Sequence, residues 1–148
     1  MKKYLSLFFG LVLITSTSFE QNTSSSVISA DDLLQNFQDY VVIDISKDEK
    51  FLEDSIAGAL HVTRNDISKR DDAFDGLIAS REKMEALMTT LGLSAADHLI
   101  VYDHKGGSDA GRLWWVLTHY GHENVQLLDG GIKAWGDRNS QIDSINTV

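Results

Sequence analysis

Two short apolar runs that do not alternate with polar residues constrain the fold more than any other feature of the chain. They are Val41–Ile45 and Leu99–Tyr102, and β-branched side chains are frequent in both. Strands of this composition are usually buried on both faces, which is typical of parallel sheets. Helical patterns lie between the strand-like segments, and this alternation predicts an α/β fold with a mostly parallel sheet.

The remaining predicted elements continue the same alternation. Shorter strands are expected at Ser25–Ile28, Ala59–Val62 and Val125–Leu128, and helices at Ala30–Phe37, Phe51–Ser55, Arg81–Leu91, Asp109–Tyr120 and around Trp135. We assign no element to residues 63–79, which are polar. The folded domain is therefore predicted to span residues 26–136, after a flexible lead-in at 19–25 and before a loose polar tail at 137–148.

The first 18 residues have the layout of a signal peptide. Met1–Lys3 is positively charged, and Tyr4–Ile14 is an apolar run too short to cross a bilayer comfortably. Ser16 and Ser18 place small residues where a signal peptidase reads them. We therefore predict an exported protein, periplasmic or secreted, without a stable membrane span after cleavage. An uncleaved membrane anchor is the alternative.

Composition excludes several classes of partner and chemistry. The 148-residue chain carries 13 basic and 22 acidic side chains, for a formal net charge of -9. No basic stripe is available to neutralise phosphates, so nucleic acid is not an expected partner. The sequence contains no cysteine, and the spacing of its five histidines fits no tetrahedral zinc site. We predict neither a metal nor another cofactor, and a function without thiol chemistry.

A glycine-rich loop follows the buried run at Leu99–Tyr102 and leads into a predicted helix. This arrangement points backbone N–H groups and a helix N-terminus at whatever lies in the loop, which suits an anion. The candidate loop and anion-binding residues are Asp103, His104, Lys105, Gly106, Gly107, Ser108, Asp109 and Arg112.

Asp103, at the end of the strand, has two alternative roles. It can accept hydrogen bonds from loop N–H groups or from Arg112 and so fix the loop, which is the role we favour. It can instead be a nucleophile toward phosphate, but such sites also need a second carboxylate two residues later, where this chain has Lys105. We expect His104 and Lys105 to be exposed to solvent, and Arg112 to pair with Asp103 or Asp109.

Six segments together resemble one known family, the rhodanese domain. The segments are Val42–Asp44, Ile56–Ala59, Ile100–Asp103, Arg112–Trp115, Tyr120–Val125 and Leu128–Trp135. Their order and spacing carry the resemblance, and Asp129-Gly130-Gly131 followed by Trp135 is its most specific part. It covers roughly residues 26–136. It implies a rhodanese-like, roughly five-stranded parallel sheet flanked by helices, and a family chemistry of sulfane-sulfur transfer.

More narrowly, the chain resembles the first domain of two-domain thiosulfate and 3-mercaptopyruvate sulfurtransferases. In that family the second domain carries the catalytic cysteine, whereas the first has Tyr-Asp, followed by Arg-x-Trp-Trp. Tyr102-Asp103 and Arg112–Trp115 match this pattern, so Asp103 falls on the cysteine position. The family's Gly-His-Ile-Pro-Gly-Ala is Asp54–Ala59 here, without the His and the Pro, and Ser46 stands where an Arg is common.

These observations predict a non-catalytic binding or structural domain. A carboxylate cannot carry a transferable sulfur, so no catalytic residue is assigned. The alternative is the N-terminal half of a thiosulfate or 3-mercaptopyruvate sulfurtransferase whose cysteine-bearing domain is truncated or on another chain. The candidate partners are therefore a cysteine-bearing rhodanese domain and a small anion. Of the adjacent Trp114 and Trp115, we expect one to pack on the sheet and the other to be either in the core or exposed.

Overall fold

A computed structural model describes residues 25–69 and 76–146 of the chain. The predicted signal peptide, most of the lead-in and the last two residues of the tail lie outside these ranges. The strands are β1 Val27–Ile28, β2 Val41–Ile45, β3 Leu60–Val62, β4 Ser68–Lys69, β5 Leu77–Ile78, β6 Leu99–Tyr102 and β7 Val125–Leu128. The helices are α1 Ala30–Gln35, α2 Asp48–Glu53, α3 Arg81–Thr90, α4 Ser108–His119 and α5 Gly131–Asn146, with a 3₁₀ turn at Phe37–Asp39.

Five strands form one sheet in the order β1-β7-β6-β2-β3, and every pairing in it is parallel. The two unalternating runs become neighbours near its centre, where Ile43 pairs with Val101 on one side and with Leu60 on the other. All four residues of β6 are buried. The predicted α/β fold with a five-stranded parallel sheet is confirmed.

Both faces of the sheet are covered, which explains why the central strands do not alternate. Ile43 and Val101 belong to an apolar cluster that includes Leu113 of α4 and Met84 of α3. The intervening residues of the strands point to the opposite cluster. That cluster contains Val42, Ile100, Tyr102, Leu33 and Leu128, with Phe37 and Trp135 packed against it. Full burial of one such aliphatic side chain contributes about 1.5–3 kcal/mol.

Two of the predicted helices, α1 and α3, begin with a serine cap. The Ser29 hydroxyl accepts a hydrogen bond from the backbone N–H of Asp32 at 3.1 Å. The Ser80 hydroxyl accepts one from the N–H of Lys83 at 3.3 Å. Such caps satisfy N–H groups that have no partner within the helix, and each is worth about 1 kcal/mol.

The C-terminal segment differs from the prediction. Instead of ending near Trp135, α5 continues to Asn146, through residues predicted to form a loose polar tail. No proline interrupts the segment, and α5 is held against α1. Arg138 forms an ion pair with Asp31, and the Trp135 ring lies 5.6 Å from that of Phe37.

The stretch at 63–79, for which we assigned no element, contains a short antiparallel pair. In it Ser68 of β4 pairs with Ile78 of β5. Two-residue strands are too short to leave a periodic pattern in the sequence. Among the described residues, no helix is long and apolar enough to cross a membrane.

Candidate functional site

The loop between β6 and α4 lies at the carboxyl end of the sheet, where ligands bind in parallel α/β folds. We call residues 103–107 the Asp103 loop. Gly106 and Gly107 have φ angles of +76° and +92°, a left-handed conformation that glycine adopts without strain. These two residues turn the chain back so that its N–H groups face Asp103. Ser108 is exposed and begins α4.

Four backbone N–H groups donate to the Asp103 carboxylate, and we call these four groups the cradle. Oδ1 accepts from Lys105 and Gly107, both at 2.8 Å. Oδ2 accepts from Asp109 at 2.8 Å and from Ala110 at 3.0 Å. Two of the donors belong to the first turn of α4, where N–H groups have no partner within the helix. The structure therefore places Asp103 in the first of its two predicted roles, as the acceptor that fixes the loop.

The cradle keeps the Asp103 carboxylate ionised. Asp103 is only 2% exposed, and burial alone raises the pKa of a carboxyl. The N–H groups of Gly107, Ala110, Lys105 and Asp109 outweigh burial and hold the pKa of Asp103 below its ordinary value of 3.8. The anion that the loop binds is thus the Asp103 carboxylate, which belongs to the chain itself.

The main chain of Asp103 is also held closely. Its carbonyl oxygen accepts a hydrogen bond from the N–H of Ile132 at 3.3 Å. Gly131, at the start of α5, has a φ of +58°, and a Cβ there would lie 2.7 Å from the same oxygen. Gly131 of the Asp-Gly-Gly motif therefore lets α5 approach the loop.

Arg112 does not pair with Asp103 or Asp109, contrary to the prediction. Its guanidinium donates to the carbonyl of Gly76 and lies 5.0 Å from the centre of the Trp115 ring. The cradle already fills the hydrogen-bonding positions of Asp103, so Arg112 contacts Gly76 and Trp115 instead. Asp109 instead forms ion pairs with Lys105 at 3.3 Å and Arg64 at 3.5 Å.

His104 is not the exposed residue that we predicted. Its Nε2 lies 3.0 Å from Oδ2 of Asp44, and the two side chains are 11% and 0% exposed. Asp44 lies inside β2, 60 positions earlier in the chain. A buried carboxylate needs a polar partner, and the Asp103 loop supplies one in His104. Lys105 is 59% exposed, in agreement with the prediction.

Tyr102 belongs to the same polar group and lies on β6, the strand next to β2. Its hydroxyl accepts a hydrogen bond from the N–H of Ile56 at 2.9 Å. Burial, reinforced by the Asp44 carboxylate and opposed by the Ile56 N–H, raises the pKa of the Tyr102 phenol, so it stays protonated at neutral pH. Sequence reasoning identified neither this contact nor the Asp44–His104 pair, because neither has a local spacing signal.

The two adjacent tryptophans of α4 differ in burial, and one of them packs on the sheet as expected. Trp114 is half-buried, and its Nε1 donates to the carbonyl of Val125 at 3.1 Å. Trp115 is 44% exposed and stacks on His119 with ring centres 5.5 Å apart. Of the two alternatives for the second indole, exposure is correct.

The family model of the rhodanese-like domain matches residues 29–138. This chain belongs to the rhodanese-like domain family. Thiosulfate/3-mercaptopyruvate sulfurtransferase 1, mitochondrial, from Arabidopsis thaliana is 33% identical over 125 residues, which cover 77% of this chain and 33% of that protein. The 3-mercaptopyruvate sulfurtransferase of Rattus norvegicus is 35% identical over 100 residues, or 64% of this chain and 33% of that protein.

A solved structure agrees with this assignment. SseA from Escherichia coli, described as a 3-mercaptopyruvate sulfotransferase with the rhodanese fold, superposes with a TM-score of 0.69 and 26% identity. The match covers 78% of this chain and 50% of SseA. This rhodanese-like chain spans about a third of the length of the curated relatives given above.

Proposed function

We propose that this rhodanese-like domain is a non-catalytic binding or structural domain whose loop is occupied by its own carboxylate. The observation that carries the proposal is the set of four N–H groups donating to Asp103. In the catalytic domains of the family that this chain resembles, a cysteine stands at the position of Asp103, and this sequence contains no cysteine.

The chemistry of sulfur transfer supports this proposal. A sulfane sulfur is carried on a thiolate, which attacks the donor and holds the second sulfur in a stable S–S bond. A carboxylate oxygen forms no stable carrier of this kind. Asp103 also places a negative charge where an anionic donor would have to bind, so it opposes the donor electrostatically as well as sterically.

Two measurements on the purified chain test the absence of turnover. The chain is incubated with thiosulfate and cyanide, with a cysteine-bearing sulfurtransferase as the positive control and heat-killed chain as the blank. We expect thiocyanate at the level of the blank. In parallel, the chain is treated with thiosulfate labelled at its outer sulfur and then denatured. Thiocyanate above the blank, or label retained covalently on the polypeptide, contradicts the proposal.

A second candidate is the N-terminal half of a sulfurtransferase whose cysteine-bearing domain is truncated or on another chain. It is favoured by matches that cover only about a third of the length of the two curated relatives given above. The reading frame next to the gene tests it, because a half-enzyme requires a neighbouring rhodanese domain with a cysteine loop. If such a frame exists, the two purified chains should elute together in size-exclusion chromatography. Absence of the frame, or separate elution, favours the binding domain.

We also propose that residues 1–18 direct export to the periplasm or outside the cell. The support is the charged and apolar pattern of the segment and the small residues Ser16 and Ser18. N-terminal sequencing of chain recovered from a bacterial periplasmic fraction should begin at Phe19. An intact Met1 on membrane-bound protein indicates an uncleaved anchor instead.

A further inference from the structure

A cavity of about 440 Å³ lies between α1 with the turn that follows it, α5, and the segment that connects α2 to β3. Its apolar walls are formed by Leu34, Phe37, Ile132 and Trp135. The connecting segment contributes Asp54 and Ser55 to the polar part of the lining. We call it the aromatic cavity. None of its lining residues belongs to the Asp103 loop or to the cradle.

Two aromatic rings contribute to the apolar wall of the aromatic cavity. The centres of the Phe37 and Trp135 rings are 5.6 Å apart, and the ring planes are inclined by 33°. Both side chains are half-buried, so each keeps part of its surface for contact with a ligand. Aromatic rings offer a ligand a large apolar area, and their π-faces also attract cations.

The charge of the aromatic cavity is negative. Asp54 has the one charged side chain among the residues that line it, and no described residue forms a hydrogen bond or an ion pair with its exposed carboxylate. The basic side chains of the flanking helices α2 and α5 are held by other carboxylates: Lys50 by Glu53, Lys133 by Asp137 and Arg138 by Asp31. The Asp54 carboxylate is therefore available to a cation from solution, and the formal net charge of -9 attracts cations to the whole chain.

Two walls of the aromatic cavity are fixed by hydrogen bonds to the end of β6. Ile56, which lines the cavity, is 1% exposed, and its N–H donates to the Tyr102 hydroxyl at 2.9 Å. The N–H of Ile132 donates to the carbonyl of Asp103 at 3.3 Å. A ligand thus meets walls that are already ordered, which lowers the entropic cost of binding.

The departures of residues 54–59 from the Gly-His-Ile-Pro-Gly-Ala pattern all line the aromatic cavity. Asp54 stands at the position of the first glycine, Ser55 at that of the histidine and Ala57 at that of the proline. Ser55 and Ala57 have smaller side chains than the pattern, which leaves room, whereas Asp54 adds a carboxylate. The size and the charge of the aromatic cavity are therefore features of this chain and do not follow from the family pattern.

We propose that the aromatic cavity binds a small arylalkyl ammonium ion, that is, a protonated primary amine joined by a short chain to an aromatic ring. The ammonium donates hydrogen bonds to the carboxylate of Asp54 and the hydroxyl oxygen of Ser55, and the ring packs against Phe37, Ile132 and Trp135. The volume lies within the 300–1,000 Å³ typical of small-molecule sites. This inference goes beyond the proposed function and does not depend on it.

The test is a titration of the full chain with 2-phenylethylammonium chloride at constant ionic strength, followed by NMR. We expect saturable shifts of the Trp135 indole N–H and of the backbone N–H groups of Ser55 and Ile56. The neutral analogue 2-phenylethanol should bind about fivefold more weakly, the effect of removing one unit charge a few ångströms from a carboxylate. Methylammonium, which has no aromatic ring to bury, should bind about tenfold more weakly.

Two pairs of variants separate the charge of the aromatic cavity from its shape. Asp54→Asn should weaken binding of 2-phenylethylammonium about fivefold, whereas Glu123→Gln, at an exposed carboxylate in the turn between α4 and β7, should leave the affinity unchanged. Ala57→Leu places a larger side chain in the cavity and should abolish binding while the amide spectrum stays that of a folded chain. Ala86→Leu makes the same change at an exposed position of α3 and should bind like the wild type.

Several results would overturn the inference. These are shifts that do not saturate or that spare Trp135, an equal loss of affinity in Glu123→Gln and Asp54→Asn, or undiminished binding by folded Ala57→Leu. Binding of 2-phenylethanol as tight as that of the ammonium ion would reject a cation site. None of these outcomes bears on the proposed function, which is tested by thiocyanate production and by retention of labelled sulfur.

Discussion

Replacing Asp103 by asparagine measures how much the cradle contributes to the stability of the fold. The carboxylate accepts four backbone hydrogen bonds between 2.8 and 3.0 Å. An asparagine has one oxygen and can keep two of them, so its NH₂ group faces two N–H donors that then have no acceptor. A hydrogen bond to a charged group contributes about 1.5–3 kcal/mol, so two lost bonds cost about 3–6 kcal/mol.

Part of this loss is offset, because the variant no longer buries a charge. We therefore expect Asp103→Asn to lower the free energy of unfolding by about 3 kcal/mol, a large part of the total stability of a typical domain. The assay is urea denaturation followed by tryptophan fluorescence. The slope of the transition should be unchanged, because the surface exposed on unfolding is the same.

Asp129→Asn is the matched control. Asp129 also follows a strand of the sheet, but it is exposed, and none of the described residues donates a hydrogen bond to its side chain. Its replacement should change the free energy of unfolding by less than about 0.5 kcal/mol. If Asp103→Asn behaves like this control, the cradle makes no net contribution and the structural role of Asp103 is wrong.

The same site yields three further predictions. The four N–H donors overcome burial and hold the pKa of Asp103 below its ordinary value of 3.8. The contribution of the ionised carboxylate to stability is therefore complete above that pH and is lost as pH falls through the lower, folded pKa. Asp103→Asn should flatten the plot of unfolding free energy against pH in this acid range, and the same slope of that plot for variant and wild type would contradict the assignment. Gly131→Ala places a Cβ 2.7 Å from the carbonyl oxygen of Asp103 at a positive φ and should cost about 2 kcal/mol in urea denaturation. Gly111→Ala, a helical site where an added Cβ meets no atom within 4 Å, should stabilise by about 0.5–1 kcal/mol, and equal effects of the two would contradict the close approach. Tyr102→Phe removes the acceptor of the buried Ile56 N–H and should cost about 1–3 kcal/mol; calorimetry showing an unchanged melting temperature would contradict it.

The parallel sheet was predictable from sequence because burial on both faces leaves a continuous apolar run. Val41–Ile45 and Leu99–Tyr102 have this pattern, and the structure places them side by side. The short strands β4 and β5 were not predictable, since two residues cannot display a period. The length of α5 was missed for a different reason: its second half is polar, so no apolar periodicity in the sequence marks it as a helix.

The candidate site was predictable in its backbone and not in its side-chain pairs. A strand, a Gly-Gly turn and a helix start dictate where N–H groups point, so the acceptor role of Asp103 followed from local sequence. The Asp44–His104 pair depends on the alignment of two strands far apart in sequence. Arg112 was misassigned because proximity in sequence suggested Asp103, whose acceptor positions were already filled by the main chain.

The cradle consists of main-chain groups, and this makes its capacity to hold an anion resistant to mutational drift. Side chains at Lys105 and Asp109 can be exchanged without removing the N–H groups that donate to Asp103; only proline at these positions deletes a donor. A lineage could therefore change the surface charge of this loop many times while the geometry inherited from the fold remained available to any acceptor placed at position 103.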